Sequence, residues 1–174
     1  MRMRMTGIFL SVVLAACGGD DDDDTGDDND DTSDDGGEFD DQQIIIDFAD
    51  QVVIPTYVLL SERATVLDDA AIALDEDVSD QNLQDAKDAW VGLREPWEQS
   101  EGFLFGPVFS EGWDPAMDSW PLSKNELDGV LASDDALTQE YIRNLDENQK
   151  GFHTVEYLLW GDEGLKVAAD LTDR

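Results

Sequence analysis

Histidine and cysteine are almost missing from this chain: it has one of each, His153 and Cys17. A single cysteine excludes an internal disulfide and a cysteine-rich zinc site. A single histidine excludes the two-histidine HExxH pattern of zinc-dependent hydrolases. Basic residues are scarce as well, with ten Lys and Arg against forty-three Asp and Glu, for a net charge of −33. So acidic a chain repels phosphate backbones, which removes nucleic acid from the expected partners. The same field concentrates cations near the surface. No stretch alternates apolar and polar residues with period two, so no strands are expected and the fold class is all-α.

What is present divides the chain into three parts. Residues 1–16 read as a lipoprotein signal peptide. Arg2 and Arg4 precede the apolar run Ile8-Phe9-Leu10-Ser11-Val12-Val13, which is too short to span a bilayer. Leu14-Ala15-Ala16-Cys17 resembles a bacterial lipobox, so Cys17 is expected to carry lipid and to tie the protein to a membrane of the cell envelope. Residues 17–41 read as a disordered tether. Asp20 to Asp41 holds fourteen acidic residues and no basic one, and it has too little apolar surface to offset the entropy of ordering. It lacks the spacing and closing Glu of an EF-hand loop. Residues 42–174 keep twenty-nine acids against eight bases, still strongly negative, but with apolar residues at helical spacing.

In that third part, Ile45, Phe48, Val52, Leu59, Leu60, Ala64 and Leu67 mark a long helical stripe toward Leu74, with Pro55 inside it. The proline removes one backbone donor, so a kink near Asp50 to Pro55 is expected and not a break. A second helix is expected from Ser79 or Asp80, with Leu83, Ala86, Trp90, Leu93 and Trp97 at bundle spacing and Pro96 inside it. Arg94, Glu98 and Glu101 share one face of it, as an ion-pair stripe or something more. Beyond Gly106-Pro107, a loop holding Trp113 and Trp120 is expected to bury its rings. Ser123 is expected to cap a short helix to Leu131, and Ser133 or Asp134 another to Leu145.

The last helix carries the chemistry. In Gly151-Phe152-His153-Thr154-Val155-Glu156-Tyr157-Leu158-Leu159-Trp160-Gly161, His153 and Glu156 stand at i and i+3 and face the same way. Such a pair can hold a cation or a polar substrate atom. By spacing alone it also fits an ordinary histidine at a helix interface.

The string Gly151-x-His153-x-x-Glu156-Tyr157-Leu158-Leu159 resembles the GxHxxE signature of the imelysin family, which takes in insulin-cleaving membrane peptidases and iron-regulated relatives. The resemblance extends to Val53-Ile54-Pro55-Thr56-Tyr57, to Ala89-Trp90 with Arg94, to Glu98-x-x-Glu101-x-Phe103-x-Phe105-Gly106-Pro107, and to Asp118-Ser119-Trp120-Pro121-Leu122. It implies an all-helical fold of two bundle-like halves, of which this chain is expected to be the first, truncated or completed by a partner such as the missing C-terminal half. It also implies a metal role for the GxHxxE pair. The expected donors are His153, Glu156 and Glu101 or Glu98, with Arg94 orienting the acids and Asp118 at the cleft edge. One nitrogen and several oxygens suit iron, manganese or zinc. The functional expectation is a lipid-anchored protein of the outer membrane, facing the periplasm or the cell surface. There it would bind a divalent metal in iron uptake or handling, alongside iron-uptake components. The alternatives are a metal-dependent peptidase of the imelysin type and an inactive helical fragment.

Overall fold

A computed structural model describes residues 40–171. The signal segment, Cys17 and nearly all of the acidic tether lie outside the described residues. Every regular element among the described residues is helical.

The first helix, α1 (Asp41–Glu76), starts slightly earlier than the hydrophobic pattern suggests, because two tether residues join it: Asp41 opens it and the Asp40 side chain accepts from the Gln43 amide. It does not break at Pro55. The chain passes through a π-helical turn at Ala49–Val53, where the Ile54 amide reaches back to the Ala49 carbonyl. A ladder widened by one residue absorbs the missing proline donor. Three residues later α2 (Asp80–Ser100) begins at the expected cap, with the Ser79 side chain accepting from the Asn82 amide. The Asn82 side chain donates to the Asp77 carbonyl at 2.8 Å and the Ala73 carbonyl at 3.2 Å, and so ties the two helix ends into a hairpin. The α2 helix runs through the buried Pro96, and a 3₁₀ turn at Glu101–Phe103 continues it.

Four short helices follow: α3 (Pro107–Ser110), α4 (Trp113–Asp118), α5 (Lys124–Ala132) and α6 (Gln139–Arg143). Two expectations fail in this stretch. Neither Ser133 nor Asp134 caps α6. The Ser133 hydroxyl donates back to the Val130 carbonyl at 2.9 Å and closes α5, and Thr138 caps α6 by accepting from Tyr141. Nor are the loop tryptophans buried, for Trp113 is 39% and Trp120 71% exposed.

Helix α7 (Phe152–Trp160) lies on the α1–α2 hairpin and completes the core. Leu159 joins Leu83 and Ala86, with Ala70, Leu74 and Val155 around them. Phe152 joins Leu93 and Trp97, with Leu60, Ala64, Leu67 and Met117 around them. Trp90 touches both groups and packs edge-on against Trp160 at 5.3 Å. The Lys166 ammonium, whose pKa is lowered by burial, donates to the Leu158 carbonyl near the end of α7.

Candidate functional site

The site is set by how α7 begins. Gly151 has φ +85°, and a Cβ there would stand 2.2 Å from the Met117 carbonyl oxygen. Glycine therefore meets two requirements: a left-handed backbone and a close approach to the end of α4. Phe152 then turns inward against Trp97, with ring centroids 5.4 Å apart, and its carbonyl accepts from the Trp90 indole at 3.1 Å. These contacts fix the helix rotation, and with it the direction of the next side chain.

That side chain is His153. Its Nδ1 lies 3.0 Å from Glu156 Oε2 within the same helix, and its Nε2 lies 3.2 Å from Asp118 Oδ1 across the interface with α4. Asp118 is held from α2. Arg94 Nη1 donates to its Oδ1 at 2.7 Å and Trp97 Nε1 to its Oδ2 at 2.6 Å. Arg94 also pairs with Glu98 through its second nitrogen, and its guanidinium stacks over the Phe152 ring at 4.9 Å. Trp120 tilts against the imidazole, with ring centroids 4.6 Å apart.

Asp118 and Glu156 both offer only acceptor atoms to the ring, so a neutral His153 donates to one of them and turns a lone pair toward the other. With the hydrogen on Nε2, Nδ1 and Glu156 Oε2 are two acceptors 3.0 Å apart, an arrangement that a cation between them would satisfy.

The structure thus joins His153, Glu156, Asp118 and Arg94, all named from the sequence, but in a different order of contact. The carboxylate that meets His153 from outside its helix is Asp118. Glu98 is engaged by Arg94. Glu101 stands on the 3₁₀ turn, where partial burial, then the charges of Glu98, Asp118 and Asp114, push its carboxyl above the usual range against the pull of Arg94. Trp97 as a donor to Asp118 is an addition; its spacing in α2 signals only core packing. Among the described residues, no group of three or more His, Cys, Asp or Glu side chains is arranged to hold one metal ion.

The comparisons with known proteins agree with this architecture. The imelysin family profile matches residues 53–174. The chain belongs to the imelysin family. Iron-regulated protein A of Synechococcus elongatus is 39% identical over 118 residues, a match that covers 68% of this chain and 31% of that protein. Among solved structures, an imelysin peptidase from Bacteroides ovatus superposes with a TM-score of 0.57 at 39% identity, covering 66% of this chain and 35% of the other. A structure from Parabacteroides distasonis, named as an iron-regulated protein A precursor, gives 0.62 at 34% identity, with 74% and 37% covered. The chain therefore spans about a third of the length of these imelysin relatives.

Proposed function

We propose that this imelysin-family chain serves iron handling in the cell envelope, and that its GxHxxE pair is an open binding site for a divalent cation. The observation that supports the reading best is the placing of His153 between two carboxylates, with Nε2 3.2 Å from Asp118 Oδ1 and Nδ1 3.0 Å from Glu156 Oε2. Histidines that ligate metals usually donate their other nitrogen to a carboxylate, which sets the tautomer and raises ligand basicity. The donor chemistry fits a divalent cation: His153 Nδ1 and Glu156 would hold it. Asp118, Arg94 and Trp97 would fix the ring without touching the ion, while Glu98 and Glu101 add negative field. When bound, the cation would supply a positive charge between His153 and the Glu156 carboxylate. Two donors from the described residues are fewer than the three of hydrolytic zinc sites, so a binding role is favoured over peptidase chemistry. The names of the relatives, iron-regulated in two cases, suggest iron as the physiological metal. A lipid anchor at Cys17 would hold the site at the outer membrane.

The single histidine makes the test direct. Its ring protons should broaden on addition of Mn²⁺, and Glu156→Gln should weaken that broadening. Titration calorimetry with Fe²⁺, Mn²⁺ and Zn²⁺ should show heats that His153→Ala abolishes. At a hundredfold excess over its dissociation constant, a ligand ion would stabilise the fold by about 2.7 kcal/mol. Heats unchanged in His153→Ala for all three ions would reject the site.

A further inference from the structure

Beside the cation site, residues 105–120 display aromatic rings to solvent. Phe105 is 61% exposed, Phe109 75%, Trp113 39% and Trp120 71%. Rings of this size are normally buried for most of their area, and an exposed group of them marks a contact surface. The segment is held in place from below: α3 packs on α4, and α4 ends in Asp118, fastened to α2 by Arg94 and Trp97. The rings therefore stand on a built platform.

The charge around the rings tells what they meet. Glu101 and Asp114 lie close enough for their fields to act on one another, and the Glu101 carboxyl is also within the field of Glu98 and Asp118. Arg94 is the base that answers this group, and it is already engaged by Asp118 and Glu98. A second copy of this acidic chain would be repelled. Anionic lipid headgroups would be repelled as well, and immersing Glu101 and Asp114 in any membrane interface carries a desolvation penalty. A ligand with positive groups meets the carboxylates and the ring faces favourably at the same time.

We propose that Phe105, Phe109, Trp113 and Trp120, with Glu101 and Asp114, form a docking surface for a basic, arginine- or lysine-bearing segment of a partner protein. Its test is separate from that of the cation site, since it substitutes Phe109 and Trp113, whereas Trp120 borders both sites and tilts against the His153 ring.

The test is fluorescence anisotropy of a labelled (Arg-Ala)₆ peptide with the full chain. Phe109→Ala/Trp113→Ala, which leaves every charge in place, is expected to weaken binding about tenfold, the sum of two ring–cation contacts. Glu62→Gln/Asp69→Asn, which removes two acids from α1, is expected to change it less than twofold. Equal losses in the two variants would mean general charge attraction and would overturn the proposal, as would an aromatic variant within twofold of the parent. Sedimentation with phosphatidylcholine vesicles supplies the other arm: binding that the aromatic variant loses would assign the rings to a membrane surface instead. Phe109→Ala alone, at the most exposed position, guards against misfolding of the double variant and should lose about threefold.

Discussion

Helices α1 and α2 lie side by side, and the more apolar of the two is the less buried. The α2 helix is rich in Asp, Glu and Gln, yet seven of its residues are buried, Trp97 and Ser100 completely. The α1 helix has apolar residues spread around it, is long and apolar enough by length and composition to cross a membrane, and buries none of its residues. Coverage accounts for the difference. Helix α2 is packed by α1 on one side and by α7 and the end of α4 on another, whereas α1 meets α2 and α7 along one side and leaves Ile45 at 69% and Val58 at 49% exposure on others. Apolar area contributes to stability only where something removes it from water. The proposed binding site follows the same division, since Arg94 and Trp97 of the well-covered helix are what anchor Asp118.

The comparison is sharpest at Trp97. Trp97→Ala should cost about 3–5 kcal/mol in urea denaturation, from the cavity and from the lost donor to Asp118. A loss below about 1 kcal/mol would show that α2 is not the centre of the core. At the seam between α7 and α4, Gly151→Ala combines a left-handed φ with a backbone clash, and about 1–3 kcal/mol is expected. The readout that separates strain from simple destabilisation is the imidazole resonance of His153, which should move as the contact with Asp118 loosens. On the free side of α1, Ile45→Ser and Val58→Ser should each change stability by about 0.5 kcal/mol or less. Costs above about 2 kcal/mol would show that this face is covered in solution, and the contrast between the helices would then vanish.

The smallest effect expected is electrostatic. Because the Glu101 carboxyl is raised in the folded state, folding favours its protonated form. Its contribution is present below the ordinary carboxylate range and is lost as pH rises through the raised value. Glu101→Gln should therefore gain stability relative to the parent as pH rises through that range, and match it below. A gain of the same size at every pH would point to packing and not to charge.

Much of the helical layout was legible from local signals. Ser79 as a cap, α1 continuing through Pro55 without a break, and the face shared by His153 and Glu156 each depend on residues within a turn or two. The errors came where local signals compete. Ser133 can cap the helix after it or close the helix before it, and only the path of the chain toward Thr138 decided between them. The exposed tryptophans were missed because ring size sets a preference for burial and supplies no neighbour to satisfy it.

The sequence by itself determined the all-helical class, the two long helices α1 and α2, and the His153–Glu156 pair, because helical hydrogen bonds and side-chain periodicity act over three or four residues. The tertiary structure alone decided that Asp118, thirty-five positions before His153, would brace its ring, that Arg94 and Trp97 would hold Asp118, and that one side of α1 would stay open. Such contacts depend on how loops return distant segments to one place, and no local rule of spacing contains that path.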